Sequence, residues 1–250
     1  MLRKVSELGG YSLRAMDGNV GTLDDVFFSD RDWRIRYLVV DTGPWVRSQR
    51  VLVSPLSVTE VRREEKSIIA QLTREQVQSS PEIDAAKPVS RQYEIDYSRH
   101  YGLPFYWAGG SLWNPMPPPD DLANQTDWPS SPEPSELGET VHLRSSHEVR
   151  GYRFEGQEGE LGHIKDFILD DETWLIRYVE IDTRNWLPGG KKVLLARQWI
   201  DKVRWDERKV TADVHRSTVK EAPPYDESCP ITEAYEIELF KHYGREVNSA

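Results

Sequence analysis

The chain has 250 residues with 32 Lys and Arg against 42 Asp and Glu, a formal net charge of −10. That balance opposes a phosphate backbone, since nucleic-acid affinity rests mainly on neutralising phosphates with Lys and Arg, so no nucleic-acid partner is expected. No run of about 18 apolar residues and no signal-like apolar core near Met1 is present, which argues against membrane insertion and for a cytoplasmic protein, while the single Cys229 allows neither an internal disulfide nor a Cys-based zinc ribbon.

In chain order, segments 11–15, 20–28, 34–41, 50–53, 58–62 and 67–71 are rich in Val, Ile, Leu and aromatic residues and are separated by Gly, Asp or Pro. They predict six short strands. In RIRYLVV, residues 34–40, a period of two puts Ile35, Tyr37 and Val39 on one face, expected to be the core face. Six short strands leave exposed edges unless the sheet bends and closes, which predicts a small barrel. Thr73 with Gln76 three residues on is a capping-box pattern and predicts a short helix. The periodic YEIDYSRHYG at 93–102 predicts a second, with Tyr93, Tyr97 and His100 or Tyr101 on one face.

Residues 103–140 then carry eight of the sixteen prolines and read as a linker. They also hold Phe105, Tyr106, Trp107, Trp113 and Trp128, so the first half of the linker is expected to pack rather than lie in water.

From residue 141 the pattern begins again. A shift of about 141 residues places Gly18, Gly21, Asp25, Asp30, Trp33, Ile35, Tyr37, Asp41 and Trp45 on Gly159, Gly162, Asp166, Asp171, Trp174, Ile176, Tyr178, Asp182 and Trp186. After one inserted residue, Val51, Leu52, Tyr93, Glu94, Ile95, His100 and Tyr101 meet Val193, Leu194, Tyr235, Glu236, Ile237, His242 and Tyr243. This reads as a tandem duplication, with a first copy at 1–102, the linker at 103–140 and a second copy at 141–250. The expected fold class is therefore mainly β: two tandem six-stranded barrels, each followed by short α-helices.

The phrase order GNVGTLDDVFFSD, WRIRYLVVDTGPW, RVLVSPLSV and LTREQVQSSP resembles the PRC-barrel family, named for the cytoplasmic domain of the photosynthetic reaction-centre H subunit. GELGHIKDFILD and WLIRYVEIDTRNW carry the same resemblance in the second copy. The resemblance implies small β-barrels used as adaptors and no catalytic residue. The chain departs from two relatives so described, lacking the membrane helix of the H subunit and the nucleotidyl-transferase-like partner domain of a bacterial ribosome maturation factor.

Asp24, Asp25, Asp30 and Asp32 could serve as paired carboxylates or Ca²⁺ ligands, but Asp at strand ends and turns ordinarily binds its own backbone. Asp41 and Asp182 read as turn-setting carboxylates in the same way. His142 with His147, and His100 near Tyr97 and Tyr101, lack the converging ligands of a zinc site. With no GxSxG, phosphate loop or HExxH, no enzyme, metal or cofactor is expected. The candidate interaction surface is Tyr93, Tyr97, His100, Tyr101, Tyr235, His242 and Tyr243, whose aromatic faces serve either packing on their own barrel or a partner. The expected role is a non-enzymatic adaptor that binds protein partners or self-associates, supporting a membrane-associated or electron-transport complex, with peripheral membrane association left open. The alternatives are an enzyme with a site between the barrels, or a small-ligand or metal sensor.

Overall fold

The computed structural model describes residues 1–43, 49–81, 83, 89–103, 143–184 and 189–245. The linker aromatics, Trp45, Trp186 and His142 lie outside them. In chain order the elements are β1 (Leu2–Lys4), α1 (Val5–Leu8), β2 (Ser12–Ala15), β3 (Gly18–Ser29), β4 (Ile35–Asp41), β5 (Arg50–Val53), a 3-10 turn (Pro55–Ser57), β6 (Val58–Arg62), β7 (Ser67–Ala70), α2 (Arg74–Gln78) and α3 (Arg91–Tyr101). There follow β8 (Leu143–Ser145), α4 (Ser146–Val149), β9 (Arg153–Gly156), β10 (Gly159–Asp170), β11 (Leu175–Asp182), β12 (Lys192–Ala196), a 3-10 turn (Arg197–Trp199), β13 (Ile200–Arg204), β14 (Lys209–Ala212), α5 (Arg216–Glu221) and α6 (Glu233–His242). No described helix is long and apolar enough to cross a membrane.

Two sheets share one strand order, β5-β4-β3-β2-β7-β6 and β12-β11-β10-β9-β14-β13. Each gains a further strand outside that path: β8 pairs with β3, and β1 pairs with β10. The sequence predicts closed barrels, yet no closed barrel is found among the described residues, because no ladder joins the two ends of either order. After β5 the chain enters the Pro55–Ser57 turn, where the Ser54 hydroxyl accepts the Leu56 N–H at 3.2 Å and Pro55 has no N–H to offer a ladder. It emerges as β6 at the opposite end of the order.

Two compact units interleave along the chain, one of Met1–Gly9, Asp25–Arg36 and Arg144–Ala250, the other of Gly10–Asp24 and Tyr37–Leu143. In the first, β1 runs antiparallel to β10 with Leu2, Arg3 and Lys4 opposite Asp170, Leu169 and Ile168. Val5 and Leu8 of α1 are buried behind it. Lys4 Nζ lies 2.8 Å from the fully buried Glu180, which also has Lys192 Nζ at 3.3 Å, both at ion-pair distance but off the alignment of a hydrogen bond.

The repeated residues occupy matching strained positions. A Cβ on Gly21 would stand 2.1 Å from the Asp41 carbonyl oxygen, and one on Gly162 2.1 Å from that of Asp182, so strand crossing admits only glycine there. Trp33 and Trp174 both adopt left-handed backbone, at φ 61 and φ 54. Both indoles are buried, and Trp33 stacks on Phe28 at 5.5 Å. Burial anchors such as these hold a conformation that a bulky residue otherwise avoids.

In β4 the inward row predicted from alternation is buried, but so are Leu38 and Val40 on the other face. Tyr37 meets α3, so both faces of the strand's second half are covered. The Thr73–Gln76 capping box forms in both directions, at 3.2 and 2.8 Å, whereas the corresponding helix α5 starts at His215 with no side-chain cap.

Candidate functional site

Each long helix lies on the sheet of its own unit. Ser90 caps α3 by accepting the Tyr93 N–H at 3.1 Å, and Gly102 ends it in left-handed backbone. One turn apart, Tyr93, Tyr97 and Tyr101 then form a ladder of rings, with centroids 6.5 and 4.7 Å apart, and Tyr97 meets Tyr37 edge-on at 5.1 Å. Their polar tips have local partners: the Tyr97 hydroxyl accepts the Ser54 N–H at 2.7 Å, Tyr37 donates to the buried Glu94 at 3.3 Å, and Tyr93 donates to the Pro81 carbonyl at 2.8 Å. Burial pushes the Tyr101 hydroxyl up to about 12 and raises those of Tyr93 and Tyr97 further.

On α6, Thr232 is the cap, Phe240 and Tyr243 pack on Trp199 at 5.2 and 4.5 Å, and Tyr178 donates to Glu236. The two histidines behave alike, His100 Nε2 lying 2.8 Å from the Gln76 carbonyl and His242 Nε2 2.7 Å from that of Thr218. Of the predicted surface, Tyr97 and Tyr101 are buried, while Tyr93, His100, Tyr235, His242 and Tyr243 are half-buried. The first four residues of that set gather on α3 and the remaining three on α6. One pair of counterparts diverges sharply: Ile95 on α3 is 3% exposed and Ile237 on α6 is 51% exposed.

The aspartates read as turn formers divide in two. Asp41 and Asp182 do accept backbone N–H groups two residues on, from Gly43 at 2.8 Å and Arg184 at 3.1 Å. Asp25 instead accepts the Ser145 hydroxyl, the Ser146 hydroxyl at 2.6 Å and the His147 N–H at 3.2 Å, more than a hundred residues away. Asp166 repeats the arrangement by accepting the Ser6 N–H at 3.3 Å and the Ser6 hydroxyl. Asp30 takes Arg144 at 3.3 Å and the Trp205 indole N–H at 3.0 Å, and its counterpart Asp171 takes Arg3. These carboxylates fasten the short β1–α1 and β8–α4 segments in place. Sequence reasoning missed that role; the available signal was the matched Arg3 and Arg144, 141 positions apart like the aspartates they bind.

Beside α4 lies an open cavity of about 720 Å³. One wall is β10, from which His163, Ile164, Lys165 and Asp166 line the space; another is α4 and the turn after it, with His147, Arg150 and Gly151; Ser6 and Asp182 complete the lining. The Arg184 guanidinium grips Asp182 through Nε at 2.9 and 3.0 Å and holds its carboxyl below the usual carboxylate range. Among the described residues no three His, Cys, Asp or Glu side chains converge as a metal site requires. Cys229 is exposed.

Residues 2–77, from β1 into α2, match the family model of the PRC-barrel domain. A PRC-barrel domain thus opens the chain. It includes β1, the strand that pairs with β10 outside the matched span, together with the Gly21 crossing and the Trp33 turn. No curated protein matches the sequence.

Proposed function

We propose that the protein is a non-enzymatic interaction protein in which residues 141–250 form a second unit of PRC-barrel type. The second-unit reading is supported by the shared strand order, by the matching left-handed tryptophans and by the paired aspartate anchors. The titratable groups pushed far from their usual range are mostly tyrosines, and burial in helix–sheet packing is the main cause, which is a stabilising arrangement and not a poised acid or base. The adaptor reading rests on the contrast at α6: Ile237 stands in water where its counterpart Ile95 is covered, an exposed large apolar side chain of the kind that protein contacts use. The setting we favour is a protein assembly in the cytoplasm at or near a membrane-bound electron-transport complex, with a second copy of this chain as an alternative contact.

The test is a photo-reactive amino acid placed at Ile237, with Glu172, whose side chain is 82% exposed, as the control position. Irradiation in the native cell should give one dominant protein adduct from position 237 and none from 172. Equal, diffuse labelling at both positions overturns the adaptor reading.

A further inference from the structure

The cavity beside α4 takes its basic side chains from positions that the fold does not require to be basic. The two sheets offer an internal control, because residues that the shared strand order demands recur at matching positions: Gly21 with Gly162, Asp25 with Asp166, Trp33 with Trp174. The basic residues of the lining do not recur. His147, Arg150, His163 and Lys165 have as counterparts Ser6, Gly9, Thr22 and Asp24, none of them basic. One half alone carries four basic side chains around one space, in a chain whose net charge is −10.

The local geometry points the same way. Lys165 is the extra residue of a bulge in β10, where the register against β11 slips between Ile164 and Asp166. Bulges of this kind re-aim a side chain beside a site. Its ammonium is exposed and has no ion-pair partner among the described residues. Arg150, which lines the cavity, is steadied through its Nε, 3.4 Å from the Ser146 carbonyl, a contact that does not use the terminal nitrogens of the fork. Of the two carboxylates in the lining, Asp182 is neutralised by Arg184, whereas Asp166 keeps its charge and has its oxygens taken by Ser6 and by the Phe167 N–H at 2.8 Å, so Arg150 and Lys165 outnumber the one uncompensated anion. Ile164 is the one large apolar side chain in the lining, so nothing there would take up an aromatic or lipid-tail body.

We propose that this cavity binds a small, polar, polyanionic phosphate compound of the sugar-phosphate or pyrophosphate class, held by Arg150 and Lys165 with His147 and His163 at the rim. A space of 720 Å³ lies within the range of small-molecule sites, and clustered Arg and Lys at close quarters favour phosphate over a single carboxylate. The phosphate could also belong to a lipid headgroup, which reaches the same residues through the same chemistry. The proposal stands apart from the adaptor role, and either can fail alone.

The experiment is calorimetric titration of the full chain with inorganic pyrophosphate and, separately, with phosphatidylglycerol vesicles. The variants Lys165→Asp and Arg150→Gly restore the residues of the other half, and Lys202→Asp, an exposed position away from the cavity, controls for bulk charge. Pyrophosphate should bind saturably, at least tenfold more weakly to Lys165→Asp and Arg150→Gly and unchanged to Lys202→Asp, with all thermal melts superimposed on the wild type. Vesicle binding that pyrophosphate displaces assigns the phosphate to a headgroup; its absence beside pyrophosphate binding assigns it to a free compound. Absence of saturable binding to either probe, or equal weakening by Lys202→Asp, overturns the proposal.

Discussion

Asp24 and Asp25 are adjacent, chemically identical and physically unlike. Asp24 pairs with Arg50 at 3.0 Å with its carboxylate about a third exposed, an arrangement worth less than about 1 kcal/mol. Asp25 is buried and satisfies two hydroxyls and a backbone N–H of the β8–α4 segment while also accepting its neighbour's Val26 N–H at 2.7 Å. Removing it strands buried donors, each costing about 1 to 3 kcal/mol when unpaired. Asp25→Ala is therefore expected to lower the unfolding free energy by about 2 to 4 kcal/mol, and Asp24→Ala by less than 1, in urea denaturation followed by circular dichroism. Equal effects would show that the Asp25 contacts do not hold the segment.

At the scale of elements, the strands and both long helices were legible because period-two alternation, capping boxes and a glycine stop each leave a local mark. The segments β1–α1 and β8–α4 were not. Three residues of strand and four of helix are too short to show a period, and their partners lie more than a hundred positions away. The tyrosine ladder was legible as a stripe, while its depth was not, because spacing alone does not reveal that Ser54 and Pro81 supply partners for its hydroxyls. That depth has a pH consequence. A tyrosine whose folded pKa lies above the unfolded value of about 10 contributes stability that is fully present below pH 10 and is lost as pH rises through its folded value. With Tyr101 at about 12 and Tyr93 and Tyr97 higher, stability should fall steeply between pH 10 and 12. Tyrosinate absorbance near 295 nm should then rise together with loss of far-UV ellipticity, in one cooperative step. Gradual ionisation near pH 10 with the ellipticity intact would contradict the buried placement.

For the molecule as a whole, the first eight residues belong with sheet residues far along the chain. Their removal leaves the Ile168–Asp170 edge of β10 unpaired, strips Glu180 of its nearest cation and withdraws Val5 and Leu8, each worth about 1.5 to 3 kcal/mol when buried. Deletion of residues 2–8 is expected to lower stability by at least about 5 kcal/mol, and a synthetic peptide of residues 1–9 added to the deletion protein should raise its melting temperature in a saturable way. A deletion that melts like the wild type would mean that the arm is dispensable.

The same arm sets a schedule for the newborn chain. Arg3 and its acceptor Asp171 are 168 positions apart, and a ribosome adding about 5 to 20 residues per second needs roughly 8 to 33 seconds to make the second after the first. Hairpins close in about 1 to 10 microseconds, so β2 and β3 can pair almost as soon as they emerge, while β1 must remain without its permanent strand partner. The matched PRC-barrel domain is thus translated early and finished late: its leading strand stays an open, pairable edge on the polysome until residues near 170 have left the exit tunnel, and neighbouring nascent copies on one message present the same edge to one another.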